Sequence, residues 1–146
     1  MLDIFIDNDK YEDYCYNVAE VLGIAENEAV VDIEFSRKLD GDAGGYCFGD
    51  NEHVEIQIAT HVMGEALAEE DILKNIAHEM IHAQQIIQGR LVDHGLQIVS
   101  VGDTESIIKA QTWDGEYYTN TAYDDQPWEI DAYAREKNVM NEALNV

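Results

Sequence analysis

The sequence predicts an α+β fold built as one domain. Three observations carry this reading. Short segments in the first sixty residues alternate apolar and polar side chains with the two-residue period of a strand. Glu69 to Gln88 repeats apolar residues at three- and four-residue steps, the period of a helix. A second helical stretch opens at Pro127, the only proline. With 146 residues the chain can bury one core and not two, so residues 1–146 are read as a single domain.

Leu2-Asp3-Ile4-Phe5-Ile6-Asp7 alternates and reads as the first strand. Lys10 to Leu22 reads as a helix, because Tyr14, Val18, Val21 and Leu22 recur at helical spacing and Gly23 can end it. Val30 to Lys38 alternates again, with Val31, Ile33 and Phe35 on one face. Asp40 to Gly45 is a turn rich in residues that tolerate positive φ. Asp40 to Asp50 has the look of a calcium loop but lacks its ligand spacing and closing Glu, and is read as a hairpin turn. Tyr46 to Phe48 is a short strand, and Val54, Ile56 and Ile58 mark another. Leu96 to Val99 fits a strand or a continuing helix, and Ile107 to Trp113 is equally open. Trp113 to Tyr118 looks like a hairpin tip. A connection as long as Gly89 to Gln126 is usually functional, and it is expected to wall a cleft.

The helix over Glu69 to Gln88 contains His78-Glu79-Met80-Ile81-His82, a His-Glu-x-x-His pattern. Helical residues four apart share a face, so two imidazole nitrogens can meet one Zn²⁺ while Glu79 stands beside a water as base. Ile72, Leu73, Ile76, Ala77, Met80, Ala83 and Ile87 form the apolar face, and His78, His82 and Gln85 lie at its edge. That suits the floor of a cleft. The bland alternative is a surface helix with two incidental histidines.

Composition excludes several classes. The net charge is −23, with 31 acidic against 8 basic residues, which repels phosphate backbones and anionic lipid. Nucleic-acid and membrane partners are therefore not expected, and a cationic peptide is mildly favoured over them. The plainest role of so acidic a surface is solubility. The first ten residues lack a basic segment before an apolar run, so no secretory signal is expected there and the expected location is cytoplasmic. Cys15 and Cys47 offer no metal-ligand spacing and are expected to be buried free thiols.

A catalytic zinc takes three protein ligands and a water. A third histidine six residues beyond His82 is ruled out, since that position is Gln88. His94, Glu129 and Asp131 remain candidates. Glu129 stands in the first turn of the helix Pro127 to Glu136, where a carboxylate also suits the helix dipole. Tyr117, Tyr118 and Tyr123 are candidate oxyanion or substrate contacts, with packing as their plainer role.

The blocks His78 to Gln85 and Pro127 to Tyr133, with Trp113-Asp114-Gly115 and Tyr123 between them, resemble the small zincin-like, gluzincin-type metallopeptidase domains of phage and prophage genomes. The resemblance spans about Leu73 to Glu136. It implies a small twisted, mostly antiparallel sheet packed on the His-Glu-x-x-His helix, with a C-terminal helix completing the site. It also implies one catalytic Zn²⁺ on His78, His82 and Glu129, Glu79 as general base, a peptide or protein substrate and a virus-encoded origin. His94 followed by Gly95 resembles instead the third ligand of SprT-like proteases. Gluzincins place an Asp four residues after the ligand Glu to orient a zinc histidine, and here that position is Tyr133. Asp131 and Asp125 are the expected substitutes.

Three functions follow. The first is a zinc peptidase working through an activated water with Glu79 as base. The second is a zinc-binding module of the same fold with a binding or assembly role and no turnover. The third is a non-proteolytic hydrolase on the same site. A carboxylate in the position of Glu79 favours catalysis, because a structural zinc has no use for a base.

Overall fold

Residues 1–146 are described by a computed structural model, the side chain of Val101 excepted. The fold is α+β: three helices and several sheets. The central sheet takes strands β1 (Asp3–Ile6), β2 (Val30–Ser36), β3 (Gly45–Gly49) and β4 (His53–Ala59) in the order β1-β2-β4-β3.

The sheet departs from the mostly antiparallel arrangement expected. β1 runs parallel to β2 and β2 parallel to β4; only β3 is antiparallel to its neighbour. The cause is connection. Helix α1 (Glu12–Leu22) carries the chain from the end of β1 back to the start of β2, so the two strands point the same way. β3 then turns tightly into β4 and is left at the outer edge. Alternation tells which face a side chain takes and is silent on strand direction. β4 is an interior strand; the sheet's two edges are β1 and β3, and β3 is the edge that lines the cleft.

Ile4, Val31, Ile33, Val54, Ile56 and Ile58 turn to one face and are buried. Against them pack Cys15, Val18 and Ala19 of α1 and Ile76, Ala77 and Met80 of α2 (Glu69–Ile87). Helix α3 (Pro127–Leu144) lies on both helices through Ala132, Val139, Met140 and Ala143. Each large aliphatic side chain so buried contributes about 1.5–3 kcal/mol. α1 ends at Gly23, whose φ of 73° is the left-handed cap that lets its N–H reach back to Ala19 and Glu20.

The segment after α2 is strand throughout. β7 (Leu91–Val101) and β8 (Thr104–Trp113) form a long antiparallel hairpin, and β9 (Glu116–Thr119) pairs with the base of β8 across the Asp114-Gly115 turn. A short hairpin of β5 (His61–Val62) and β6 (Glu65–Ala66) precedes α2 and had no signal in the sequence. No helix among the described residues is long and apolar enough to cross a membrane.

Candidate metal centre

The middle of α2 is built against the usual rule for buried residues. His78, Glu79, His82 and Gln85 are all polar, and none is more than 7 % exposed. Burying polar groups costs free energy unless each finds a partner. Three of the four find theirs on α3.

His78 and His82 stand one turn apart and aim their Nε2 atoms at the same carboxylate. His78 Nε2 lies 2.9 Å, and His82 Nε2 3.0 Å, from Glu129 Oε1. Glu129 reaches them because Pro127 starts α3 at its first-turn position and leaves Glu129 facing α2. His78, Glu79 and His82 bring ligand atoms within 4.8 Å of one another. Two imidazoles and a carboxylate are a zinc donor set. Ligand atoms around a tetrahedral zinc stand about 3.4 Å apart, so the contacts of His78 and His82 with Glu129 would open by about half an ångström to admit the ion.

The far ring nitrogens are held as well. His78 Nδ1 lies 3.2 Å from Glu136 Oε2, and His82 Nδ1 lies 2.8 Å from Gln85 Oε1. Gln85 in turn donates to Trp128 O and to Asp131 Oδ2, and Arg135 clamps Asp131 at 2.7 Å. These partners orient both rings with Nε2 pointing at Glu129. The expected substitutes are corrected accordingly. Asp131 acts on His82 only through Gln85, and its pair with Arg135 takes it out of the ligand set. Asp125 makes no side-chain bond to either histidine. Glu136 escaped sequence reading, although it lies seven residues after Glu129 and so two turns along the same helix face. The position four residues after Glu129 is filled by the Tyr133 ring, packed 4.5 Å from His78.

Glu79 differs from its neighbours. Among the described residues it makes no hydrogen bond, although it is buried, and it lines the cleft. Burial pushes its carboxyl up to about 7, helped by the charges of Glu129 and Glu136 and opposed by the histidines. Glu129 goes the other way. Burial raises it, but bonds from His78 and His82 prevail and hold it at about 2. His82 is lowered by burial and raised more by Glu129, with a net upward shift. The carboxylates of Glu79 on α2 and Glu129 on α3 are thus driven apart, Glu129 held as an anion by the histidines and Glu79 raised toward neutrality by burial.

The cleft has a volume of about 540 Å³. β3 forms one wall with Gly45, Cys47 and Phe48, and the base of the β7–β8 hairpin forms another with Leu91, Asp93 and Lys109. Cys15 and Cys47 are both free. Cys15 is buried as expected; Cys47 is half-buried and faces the cleft from β3. Gly45 escaped sequence reading and is required by packing, since a side chain there would collide with Glu79.

The remaining candidates separate. Tyr123 enters the site: its hydroxyl donates to Glu129 Oε1 at 3.1 Å and meets Tyr133 Oη at 2.9 Å. Tyr117 is exposed and Tyr118 packs edge-on against Trp128; neither lines the cleft. His94 is corrected as an alternative ligand. It sits exposed on β7 beside Tyr117 and Thr112 and outside the cleft: its neighbour Asp93 lines the cleft, and alternation along the strand puts His94 on the other face with Val92. Comparison of the chain with protein-family models, curated proteins and solved structures found no match.

Proposed function

We propose that the protein is a zinc-dependent peptidase of zincin type, with His78, His82 and Glu129 as ligands and Glu79 as general base. The observation that carries the reading is Glu79: a residue buried except where its carboxylate opens on the cleft, bonded to no side chain, raised toward neutrality and set beside two imidazoles and the Glu129 carboxylate. A structural zinc site has no use for such a group.

Zinc, when bound, supplies Lewis-acid chemistry: it polarises a carbonyl and makes water more acidic. The chain's own residues do the rest. Glu79 takes a proton from the attacking water and passes it to the leaving amine. Glu136 and Gln85 keep the imidazoles in the tautomer with Nε2 free for metal. Tyr123 stands at the ligand carboxylate with a hydroxyl that can turn to a developing oxyanion. An extended peptide is the substrate the cleft suits. β3 is an edge strand with one row of backbone groups unpaired by the sheet, and it lines the cleft beside Glu79.

The test is paired. Elemental analysis of protein purified without added metal is expected to find near-stoichiometric zinc in the wild type and in His94→Ala, and a strong loss in Glu129→Ala. Glu79→Gln is expected to keep the zinc and lose hydrolysis of an unbiased peptide mixture. A wild type that takes up no zinc at this site sinks the reading. Zinc retained with no hydrolysis by the wild type selects the module without turnover.

A further inference from the structure

The opposite face of the central sheet holds a second group of metal-ligating side chains. Asp32 on β2 and Glu55 on β4 are register partners, and both turn away from the core. His53 precedes Glu55 by two residues and takes the same face. One ligand atom from each of the three lies within 4.8 Å of the others. His53 Nε2 is 2.5 Å from Asp32 Oδ2.

This arrangement is costly as it stands. Like charges set directly opposite one another across two strands destabilise a sheet. Glu34, on the same face, adds a third carboxylate, and it lines with Asp32 and Glu55 a small depression beside Phe48. Among the described residues no Lys or Arg forms an ion pair with Asp32, Glu34 or Glu55; His53 is the single partner.

We propose that Asp32, His53 and Glu55 form a second divalent-cation site, on the outer face of the sheet and separate from the cleft. One imidazole nitrogen and two carboxylate oxygens suit a first-row transition ion such as Zn²⁺ or Mn²⁺. Calcium and magnesium prefer all-oxygen shells. Two neighbouring strands in register hold the donors, so the backbone that presents them is rigid. Water completes the shell from the solvent side. The bound cation turns repulsion across β2 and β4 into attraction and clamps the sheet. With three half-exposed ligands the site is weaker than one buried between α2 and α3.

Equilibrium dialysis against Zn²⁺ followed by elemental analysis tests this on four chains. The wild type is expected to bind two ions, His53→Ala one, His78→Ala/His82→Ala one, and the triple variant none. Zinc is expected to raise the Tm of the His78→Ala/His82→Ala chain and leave that of the triple variant unchanged. His53 lies on an exposed face, so His53→Ala perturbs no core packing, and Asp32→Asn repeats the test from the other strand. Equal zinc in the wild type and His53→Ala overturns the proposal. One ion in the wild type, lost in His53→Ala and kept in His78→Ala/His82→Ala, upholds this site and removes the one in the cleft.

Discussion

Gly45 on β3 passes so close to Glu79 on α2 that a Cβ at residue 45 would lie 2.8 Å from Glu79 Cγ and 3.0 Å from its Oε2. The backbone carbonyl of Gln57 blocks the other way out at 3.1 Å. The edge strand and the proposed base are therefore fitted to one another, and the glycine sets where the carboxylate can stand.

Gly45→Ala is expected to displace Glu79 while leaving His78, His82 and Glu129 in place. Misplacing a reacting group by about 1 Å costs on the order of a hundredfold in rate. The expected outcome is a loss of that order in kcat/KM for peptide hydrolysis with zinc content unchanged. A variant as fast as the wild type would show that the Gly45–Glu79 fit does not matter to the reaction.

Glu136→Ala removes the carboxylate behind His78. Loss of such a partner typically weakens metal binding by about 10–100-fold. Competition with a chelating dye measures the change directly. Zinc affinity equal to that of the wild type would remove Glu136 from the support of the site.

Gln85→Ala leaves His82 Nδ1, Trp128 O and Asp131 Oδ2 without their shared partner in a fully buried place. Each buried polar group left unpaired costs about 1–3 kcal/mol. Urea unfolding is expected to show a fall in stability of at least that size. A shift below 0.5 kcal/mol, about the scale of ordinary surface substitutions, would mean that other groups take over these bonds.

Alkaline pH is expected to destabilise the fold from within its core. Burial, with the Glu12 carboxylate adding to it, pushes the Cys15 thiol from 9.0 up to about 12. Burial likewise raises Tyr14. Between pH 9 and pH 12 the unfolded chain releases a thiol proton that the folded chain retains, so raising the pH favours unfolding. The contribution is complete below pH 9 and is lost as pH climbs toward 12. Unfolding free energies measured from pH 8 to pH 10.5 are expected to fall less steeply for Cys15→Ala than for the wild type. Parallel slopes would exclude the thiol as a source.

The sequence by itself determined the local pieces: the α+β class, the register of the His-Glu-x-x-His helix, and the proline-started helix that carries Glu129. These follow from periodicities of two and 3.6 residues and from the backbone limits of proline, which act over a few neighbours. Glu129 was legible because it lies at a helix start, next to a signal the chain carries locally. Strand direction was not, since a parallel pair is made by the helix that crosses between its strands. Glu136, Gln85 and Gly45 were not legible in their roles either. Glu136 and Gly45 act across a gap between elements, on residues 58 and 34 positions away, and Gln85 ties His82 on its own helix to Trp128 and Asp131 on α3; a Glu, a Gln or a Gly looks the same in sequence whether or not a partner faces it. His94 shows the converse: its place before a glycine in sequence suggested a ligand, and alternation along β7 gives the cleft face to its neighbour Asp93 and the solvent face to His94. Only packing of α3 on α2 decided which carboxylates meet the histidines, because burial leaves each polar atom a single place to find its bond.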